Sequence, residues 1–396
     1  MTSQLEYGSI SNAEQAKRLG EILCQSFNEP VSDWLFYSEK IGQDNFRIIR
    51  KADEVVGGLA ILQMNQWYGG KPIPMAGIAS VAVTPEHRGT GVAAELLTNT
   101  LQELYSNGIP LSTLYAATQR PYRKVGYEQA GTCCKWEIQL DSMELRVSEV
   151  SLNEVRRLPL HSVPHKPELF KKIHQQWAIK NNGNLERNQV MWELLFLPQQ
   201  GECYAYLLGA ETQPEGYIIF NQTSPDCHLN IRDWVALTPT AAKRLWTFIA
   251  DHRSMINKVI WRGSGLDPML LLLSEQTARV SNPERWLLRV INVPKALEMR
   301  GYLAGMEAEL HLKVRDSLLL ENNGDFVLKV SGGRGEVSKG GKGDLQLDVQ
   351  TLAPLYTGLF TPHQLQLIGK LEASTTTLAV AAQLFSASQP WMPDKF

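Results

Sequence analysis

VAVTPEHRGTGVA, Val81 to Ala93, joins an apolar run to a Thr-Pro break and an Arg/Gly loop, and it leads into the apolar-periodic stretch AAELLTNTLQELY. That order spells a strand, a loop and a helix N-terminus. Glycines at 89 and 91 let the backbone approach an anion closely, and the first N–H groups of the helix have no partner inside it. A phosphate is stabilised at such a place. Rival phosphate motifs are missing, for the chain holds no GxxxxGK(S/T) and this loop is not GxGxxG. Nucleotide hydrolysis and dinucleotide binding lose their usual footing.

Around this stretch the chain is ordinary in composition. Its 396 residues exceed one core and point to two or three domains. Apolar residues make up 43% and charged residues 20%, with a formal net charge of -2, so a general nucleic-acid surface is not expected. The N-terminus has no basic segment followed by an apolar run, and no apolar stretch of about 18 residues offers a membrane span. A cytoplasmic protein without membrane or nucleic-acid partners is the expectation. Cys24, Cys133, Cys134, Cys203 and Cys227 are too scattered for a disulfide framework and form no CxxC pair. The chain holds no HExxH motif, and its one HxxxH pair, His161 and His165, spans a proline, so no metal site is expected.

The chain echoes itself. ISNAEQAKRLGEIL reads as a capped helix with Ser11 as cap and Glu14 three residues on, and VSLNEVRRLPL repeats the device with Ser151 and Glu154. VAVTP at 81–85 returns as VALTP at 235–239, again before a helical run. Two signals recurring in the same order imply two copies of one fold. The second copy has no glycine after its Thr-Pro, and its one arginine there, Arg244, falls within the helical run, so it reads as scaffold. From Arg289 a third region starts: RVINVPKALEMRGY predicts a strand and a Pro-started helix, and AELHLKVRD, DFVLKV and LQLDVQ predict antiparallel strands. SGGRGEVSKGGKGD opens no helix and reads as a hairpin loop, and the chain ends in a helix and an irregular tail.

Arg88, Gly91 and Ala93 satisfy RxxGx(G/A), the pattern with which GCN5-related N-acetyltransferases hold the pyrophosphate of acetyl-CoA. Over nearly its whole length the chain resembles the Eis (enhanced intracellular survival) branch of that family. The resemblance is most specific in AGIASVAVTPEHRGTG at 76–91, PYRKVGYEQA at 121–130, RVINVPKALEMRGY at 289–302 and the final Phe396. It implies an α/β chain of mixed α+β character, with tandem N-acetyltransferase folds of which the second is degenerate, and a C-terminal sterol-carrier-protein-like α+β domain. The expected boundaries are 1–145 for the acetyl-CoA-binding domain, 146–288 for the degenerate one, and 289–396 for the third with its catalytic tail. It further implies a homo-oligomer, a hexamer, with acetyl-CoA as co-substrate, no metal, and small polycationic amines of the aminoglycoside kind as acceptors.

Residue by residue, the resemblance implies that the strand holding Val81, Ala82 and Val83 splays from LSTLYAA at 111–117 and admits the pantetheine arm, with an N–H near Val81 facing the thioester oxygen. Arg88 and the amides of Gly89, Thr90, Gly91, Val92 and Ala93 hold the pyrophosphate, and Thr118 adds a cofactor contact. Tyr122 is the acid for the leaving thiolate, with Tyr127 as its structural competitor. The carboxylate of Phe396 is the base, where a frayed terminus is the alternative. Phe27, Glu29, Asp33, Trp34 and Ser80 line the acceptor pocket, although Glu29 and Asp33 read equally as solvated loop charges. Ser80 and Lys395 depart from the family pattern. A protein or peptide lysine acetyltransferase remains open, as does, from another class, a non-catalytic lipid or sterol carrier.

Overall fold

The computed structural model describes residues 5–146, 149–197 and 201–396. They fall into two units: Met1–Gly131 with Arg285–Ser388 and Asp394–Phe396, and Thr132–Glu284 with Gln389–Pro393. The first stretch of chain forms β1 (Leu5–Ser9), α1 (Ala13–Phe27), α2 (Val31–Ile41), β2 (Phe46–Lys51), β3 (Glu54–Tyr68) and β4 (Lys71–Val83). It continues as α3 (Val92–Ser106), β5 (Leu111–Tyr115), α4 (Arg120–Lys124) and β6 (Glu128–Gln139). Strands β1 to β4 pair antiparallel in sequence order, and β5 joins β4 in parallel. The β3–β4 hairpin turns on Gly69 and Gly70, both at positive φ, where a Cβ would be strained.

Helix α1 starts one residue later than its capping signature predicts. Asn12 is the cap and accepts from the Gln15 N–H at 2.9 Å, while the Ser11 N–H and hydroxyl both donate to Gln15 Oε1. Asn caps as well as Ser, and its carboxamide reaches the third N–H of the helix, while the Gln15 side chain reaches back past the cap to Ser11. Helix α3 lays Leu96, Leu97, Leu101 and Leu104 on Ile61, Ile78 and Leu114 of the sheet. Each buried leucine contributes about 2 kcal/mol, so this face alone is enough to fix the helix.

The second stretch comprises α5 (Glu149–Arg156), β7 (Leu160–Ser162), α6 (Glu168–Ala178), β8 (Leu185–Glu186), α7 (Gln189–Phe196), β9 (Cys203–Ala210), β10 (Gln213–Thr223), β11 (His228–Ala236), α8 (Pro239–Ala250) and β12 (Lys258–Gly263). Here β10 pairs antiparallel with β11 and β11 pairs in parallel with β12, the arrangement of β3, β4 and β5 repeated. The echo VALTP therefore marks the same strand-to-helix turn. Its difference is physical: Thr238 caps α8 directly and Pro239 is the first helical residue, so no loop intervenes. Ser151, by contrast, opens no helix, since it lies inside α5, and its side chain is outside the described residues.

The remaining elements are β13 (Arg279–Val290), α9 (Val293–Met299), β14 (Ala308–Arg315), β15 (Gly324–Ser331), β16 (Arg334–Lys339), β17 (Leu345–Asp348), α10 (Val349–Thr357), α11 (Pro362–Leu367), β18 (Leu371–Ala373) and α12 (Thr375–Leu384). Asn292 caps the Pro-started α9. Strands β16, β15, β14, β17 and β18 form a sheet in that order, in which β14 and β17 run parallel instead of antiparallel. Alternation sets which face is buried and carries no direction, so sequence could not separate the two cases. Half of the Gly/Lys-rich stretch is strand β16 and not loop, because only the Gly332–Gly333 pair is needed for the turn.

Two close approaches hold the first unit together. A Cβ on Gly301 would stand 1.9 Å from the carbonyl oxygen of Gly69, and the Gly301 N–H donates to the Tyr68 carbonyl at 3.2 Å. Arg289 of β13 is fully buried and gives both bonds of one Nη to Asp316, at 2.8 and 2.7 Å, while its Nε donates to the Val125 carbonyl.

Candidate active site

The parallel ladder of β4 and β5 is short. It runs from Met75–Leu111 to Gly77–Thr113 and stops, although β4 continues to Val83 and β5 to Tyr115. Strand β4 is also bulged: Gly58 faces Ala82 and Ala60 faces Ala79, so Ser80 and Val81 together oppose the single Leu59. Ser80 has φ +52°, the only residue of β4 in the left-handed region. A bulge redirects the backbone groups that follow it and adds twist. The result is a parting of two strands: among the described residues the β4–β5 ladder does not continue past Gly77 and Thr113.

At the far end of that parting lies the loop. Gly89 and Gly91 have φ of +79° and +96°, and a Cβ on either would meet nothing within 4 Å, so the backbone faces open space. Gly91 is the cap of α3 and supplies no side chain, which leaves the first-turn N–H groups of Val92 and Ala93 uncapped. The loop is braced from within: Thr84 Oγ1 bonds His87 Nδ1 at 3.0 Å, and Thr90 Oγ1 donates to the His87 carbonyl at 2.7 Å. Arg88 folds back, its Nε donating to the Val83 carbonyl at 3.2 Å and an Nη to Ser26 Oγ at 3.4 Å. The group is exposed and lies beside the helix N-terminus, so an anion there meets a dipole, free amides and a guanidinium. Thr118 is exposed in the turn after β5.

The two tyrosines of PYRKVGY differ in what they already hold. Tyr127 is fully buried, and its hydroxyl lies 2.6 Å from Ser112 Oγ, which donates to the Ala76 carbonyl. Tyr122 is half-buried, sits edge-on to Tyr127 at 6.0 Å, and forms no hydrogen bond through its hydroxyl among the described residues. Burial pushes its pKa up to about 12. That hydroxyl is therefore a proton donor throughout the neutral range.

Phe396 lies on β4. A Cβ at Gly77, where the ladder ends, would come within 2.7 Å of the Phe396 ring and 2.6 Å of Met64 Cε, so only glycine leaves room for both. Lys395 sets its Nζ 5.8 Å from the centre of the Tyr115 ring at the end of β5. Of the acceptor-pocket residues named from sequence, Phe27 ends α1 and is 46% exposed, and Glu29 is exposed just beyond the left-handed Asn28. The Asp33 side chain lies outside the described residues. Trp34 is buried, packed edge-on to Phe46 at 5.1 Å and over Gly20. Tyr37, which the sequence reading passed over, accepts from Ser80 Oγ at 3.3 Å. The available signal was its spacing of three from Trp34 on one helix, which puts the two on neighbouring faces.

A direct check on the loop is Gly91→Glu. The new residue cannot relax at φ +96° and brings a negative charge to the loop that the sequence assigns to the diphosphate, so on that assignment acetyl-CoA affinity is expected to fall at least about 10-fold, the scale of one misplaced charge-assisted contact. Thermal stability should fall only modestly, by roughly the 1 to 2 kcal/mol of a non-glycine residue at positive φ, since nothing packs on the site. Unchanged affinity in calorimetry would remove the loop from the cofactor site.

Comparison with known proteins agrees with the three-part plan. Families described as acetyltransferase (GNAT) domains match residues 10–130 and 183–290, and the sterol carrier protein domain matches 293–393. A GCN5-related N-acetyltransferase from Anabaena variabilis, solved as a crystal structure, is 48% identical, with a TM-score of 0.94 over 99% of this chain and 100% of that one. The N-acetyltransferase Eis of Mycobacterium tuberculosis is 28% identical over 82% of this chain and 81% of its own. An uncharacterized N-acetyltransferase of Streptomyces griseus is 29% identical over 83% of each.

Proposed function

The chain belongs to the GCN5-related N-acetyltransferase family, with two such domains and a sterol carrier protein domain, and on that premise we propose that it moves the acetyl group of acetyl-CoA to an amine of a small polycationic molecule, aminoglycosides among them. The observation that carries this reading is the convergence on one splayed pair of strands: the glycine loop lies at the end of β4, and Phe396 packs where the β4–β5 ladder stops. The active unit is residues 1–145, with 146–288 as scaffold and 289–396 bringing the tail. The enzyme works in the cytoplasm as a homo-oligomer, hexameric as in the Eis branch.

In the proposed reaction the co-substrate's diphosphate is held by Arg88 and the amides of Gly89 to Ala93, with Thr118 nearby, and its pantetheine arm lies along Val81 to Val83. The amine nitrogen attacks the thioester carbon. The oxygen becomes an oxyanion, stabilised by the Val81 N–H where the charge develops. Collapse breaks the carbon–sulfur bond, and Tyr122 gives its hydroxyl proton to the leaving thiolate. The proton of the attacking ammonium passes to the carboxylate of Phe396, and solvent returns one to Tyr122. Phe27, Glu29, Asp33, Trp34 and Ser80 belong to the acceptor side. Glu29 attracts the remaining positive charges of a polyamine, and Trp34 acts from beneath through its packing.

The test is thiol release from acetyl-CoA with a panel of aminoglycosides, linear polyamines and lysine peptides. Turnover of the first two supports the reading, turnover of lysine peptides alone replaces it with a protein acetyltransferase, and no turnover of any amine sinks it. For the acid, Tyr122→Phe should lower kcat by roughly 10²-fold, the scale of general acid catalysis, without changing acetyl-CoA affinity. The hydroxyl stays protonated below its raised pKa of about 12 and is lost only above it. The alkaline limb of the pH–rate profile should therefore not fall on this account by pH 10, where an ordinary tyrosine would already be half ionised. An equal loss in Tyr127→Phe alone would reassign the acid.

A further inference from the structure

We infer that Tyr37 is a positioning residue for acyl transfer, acting through Ser80 to hold the β4 bulge in the conformation that aims the Val81 amide. This inference rests on the acyl-transfer reading above. The geometry behind it is local. Ser80 adopts φ +52°, a region that costs a non-glycine residue roughly 1 kcal/mol or more. Such a conformation persists only when the surroundings over-determine it. The ladder does not, because at this point two residues of β4 face one of β3 and the pairing is interrupted. What reaches the bulge from outside the sheet is the Tyr37 hydroxyl of α2, 3.3 Å from Ser80 Oγ.

Tyr37 is itself fixed. Its ring lies edge-on to Phe46 of β2 at 6.3 Å, and Phe46 in turn meets Trp34 at 5.1 Å, so α2 is anchored to the sheet one helical turn before Tyr37. Burial, with the nearby Glu29 carboxylate adding to it, raises the Tyr37 pKa, so the hydroxyl stays neutral and its hydrogen bond is insensitive to pH in the neutral range. A serine at a position that favours glycine makes sense when its hydroxyl is the handle by which a rigid neighbour holds the backbone. Ser80 and Tyr37 then form one device: a strained residue and the tether that keeps it strained. The group tuned is the next amide along, and a misalignment of about 1 Å at a reacting centre can cost 10²-fold.

The experiment compares unaltered protein, Tyr37→Phe, Ser80→Gly and the double variant. Each is assayed for kcat, acceptor KM, acetyl-CoA affinity and thermal midpoint. Tyr37→Phe keeps the ring contact and loses only the tether, so kcat should fall about 10-fold with KM, cofactor affinity and midpoint nearly unchanged. Glycine accepts φ +52° without strain, so in the Ser80→Gly background the Tyr37→Phe change should cost less than about 2-fold. An equal loss in both backgrounds, or a change confined to KM, would show that Tyr37 acts on the acceptor directly and would overturn the inference. Unaltered kcat in Tyr37→Phe would overturn it too. If the unaltered protein turns over no amine, the acyl-transfer reading fails first and takes this one with it, which tells the two failures apart.

Discussion

Deleting Phe396, or extending the chain past it with a tag, is expected to lower turnover by at least about 100-fold, the scale of losing a general base. The fold and acetyl-CoA affinity should remain. An α-carboxylate has an ordinary pKa of about 3.3 to 3.7, so it is ionised but weakly basic, and its value lies in placement. Placement is what the contact with Gly77 supplies, for the ring seats on the residue where β4 parts from β5. Phe396→Ala keeps the carboxylate and loses the seat, so an intermediate loss is expected. Steady-state kinetics on the three variants, with calorimetry for acetyl-CoA, checks this. Full activity in a tagged protein would place the base elsewhere, and Glu29 is the next carboxylate to test.

Asp316→Ala is expected to destabilise the first unit by about 3 to 5 kcal/mol, the cost of removing one partner of a buried ion pair. The Asp316 carboxylate accepts two bonds from Arg289, one from Asn322 and others from the N–H groups of Leu318 and Leu319. Without it the Arg289 charge stays buried and unpaired. The effect reaches the chemistry, because Arg289 also holds the Val125 carbonyl and leaves no room for a Cβ at Gly126, in the turn joining Tyr122 to Tyr127. The urea midpoint reads the stability. Replacing both partners together, Arg289→Met with Asp316→Leu, should recover only part of the loss, since no charge is then stranded but the Asn322, Leu318 and Leu319 donors lose their acceptor. A loss below about 1 kcal/mol for Asp316→Ala would mean that the guanidinium finds other compensation.

The parts of this chain legible in sequence are those where local chemistry dictates conformation. Gly89 and Gly91 announce positive φ, Pro294 stands in the first turn of its helix, and the repeated Thr-Pro marks the same turn twice. Ser11 and Asn12 both have the chemistry of a cap, and only the fold chooses between such neighbours. What stayed hidden depends on distant partners. Nothing in Ile78-Ala-Ser-Val-Ala-Val83 marks a bulge, since the extra residue is defined by the register with β3. Tyr37 gains its role only when α2 lies over that bulge. Trp34 is assigned to the acceptor side by the resemblance alone, and its packing over Gly20 is not readable from spacing.

The abrupt start of α8 has a consequence for design. In the first repeat the stretch Thr84–Gly91 separates strand from helix, whereas in the second Ala236 is followed by Leu237 and Thr238 and then by helix. The second repeat is shorter in backbone as well as different in side chains, so single substitutions alone cannot give it an anion cradle; an insertion of several residues, placed between two packed elements, would be required first. Engineering a second centre into this half is therefore a problem of chain length before it is one of chemistry.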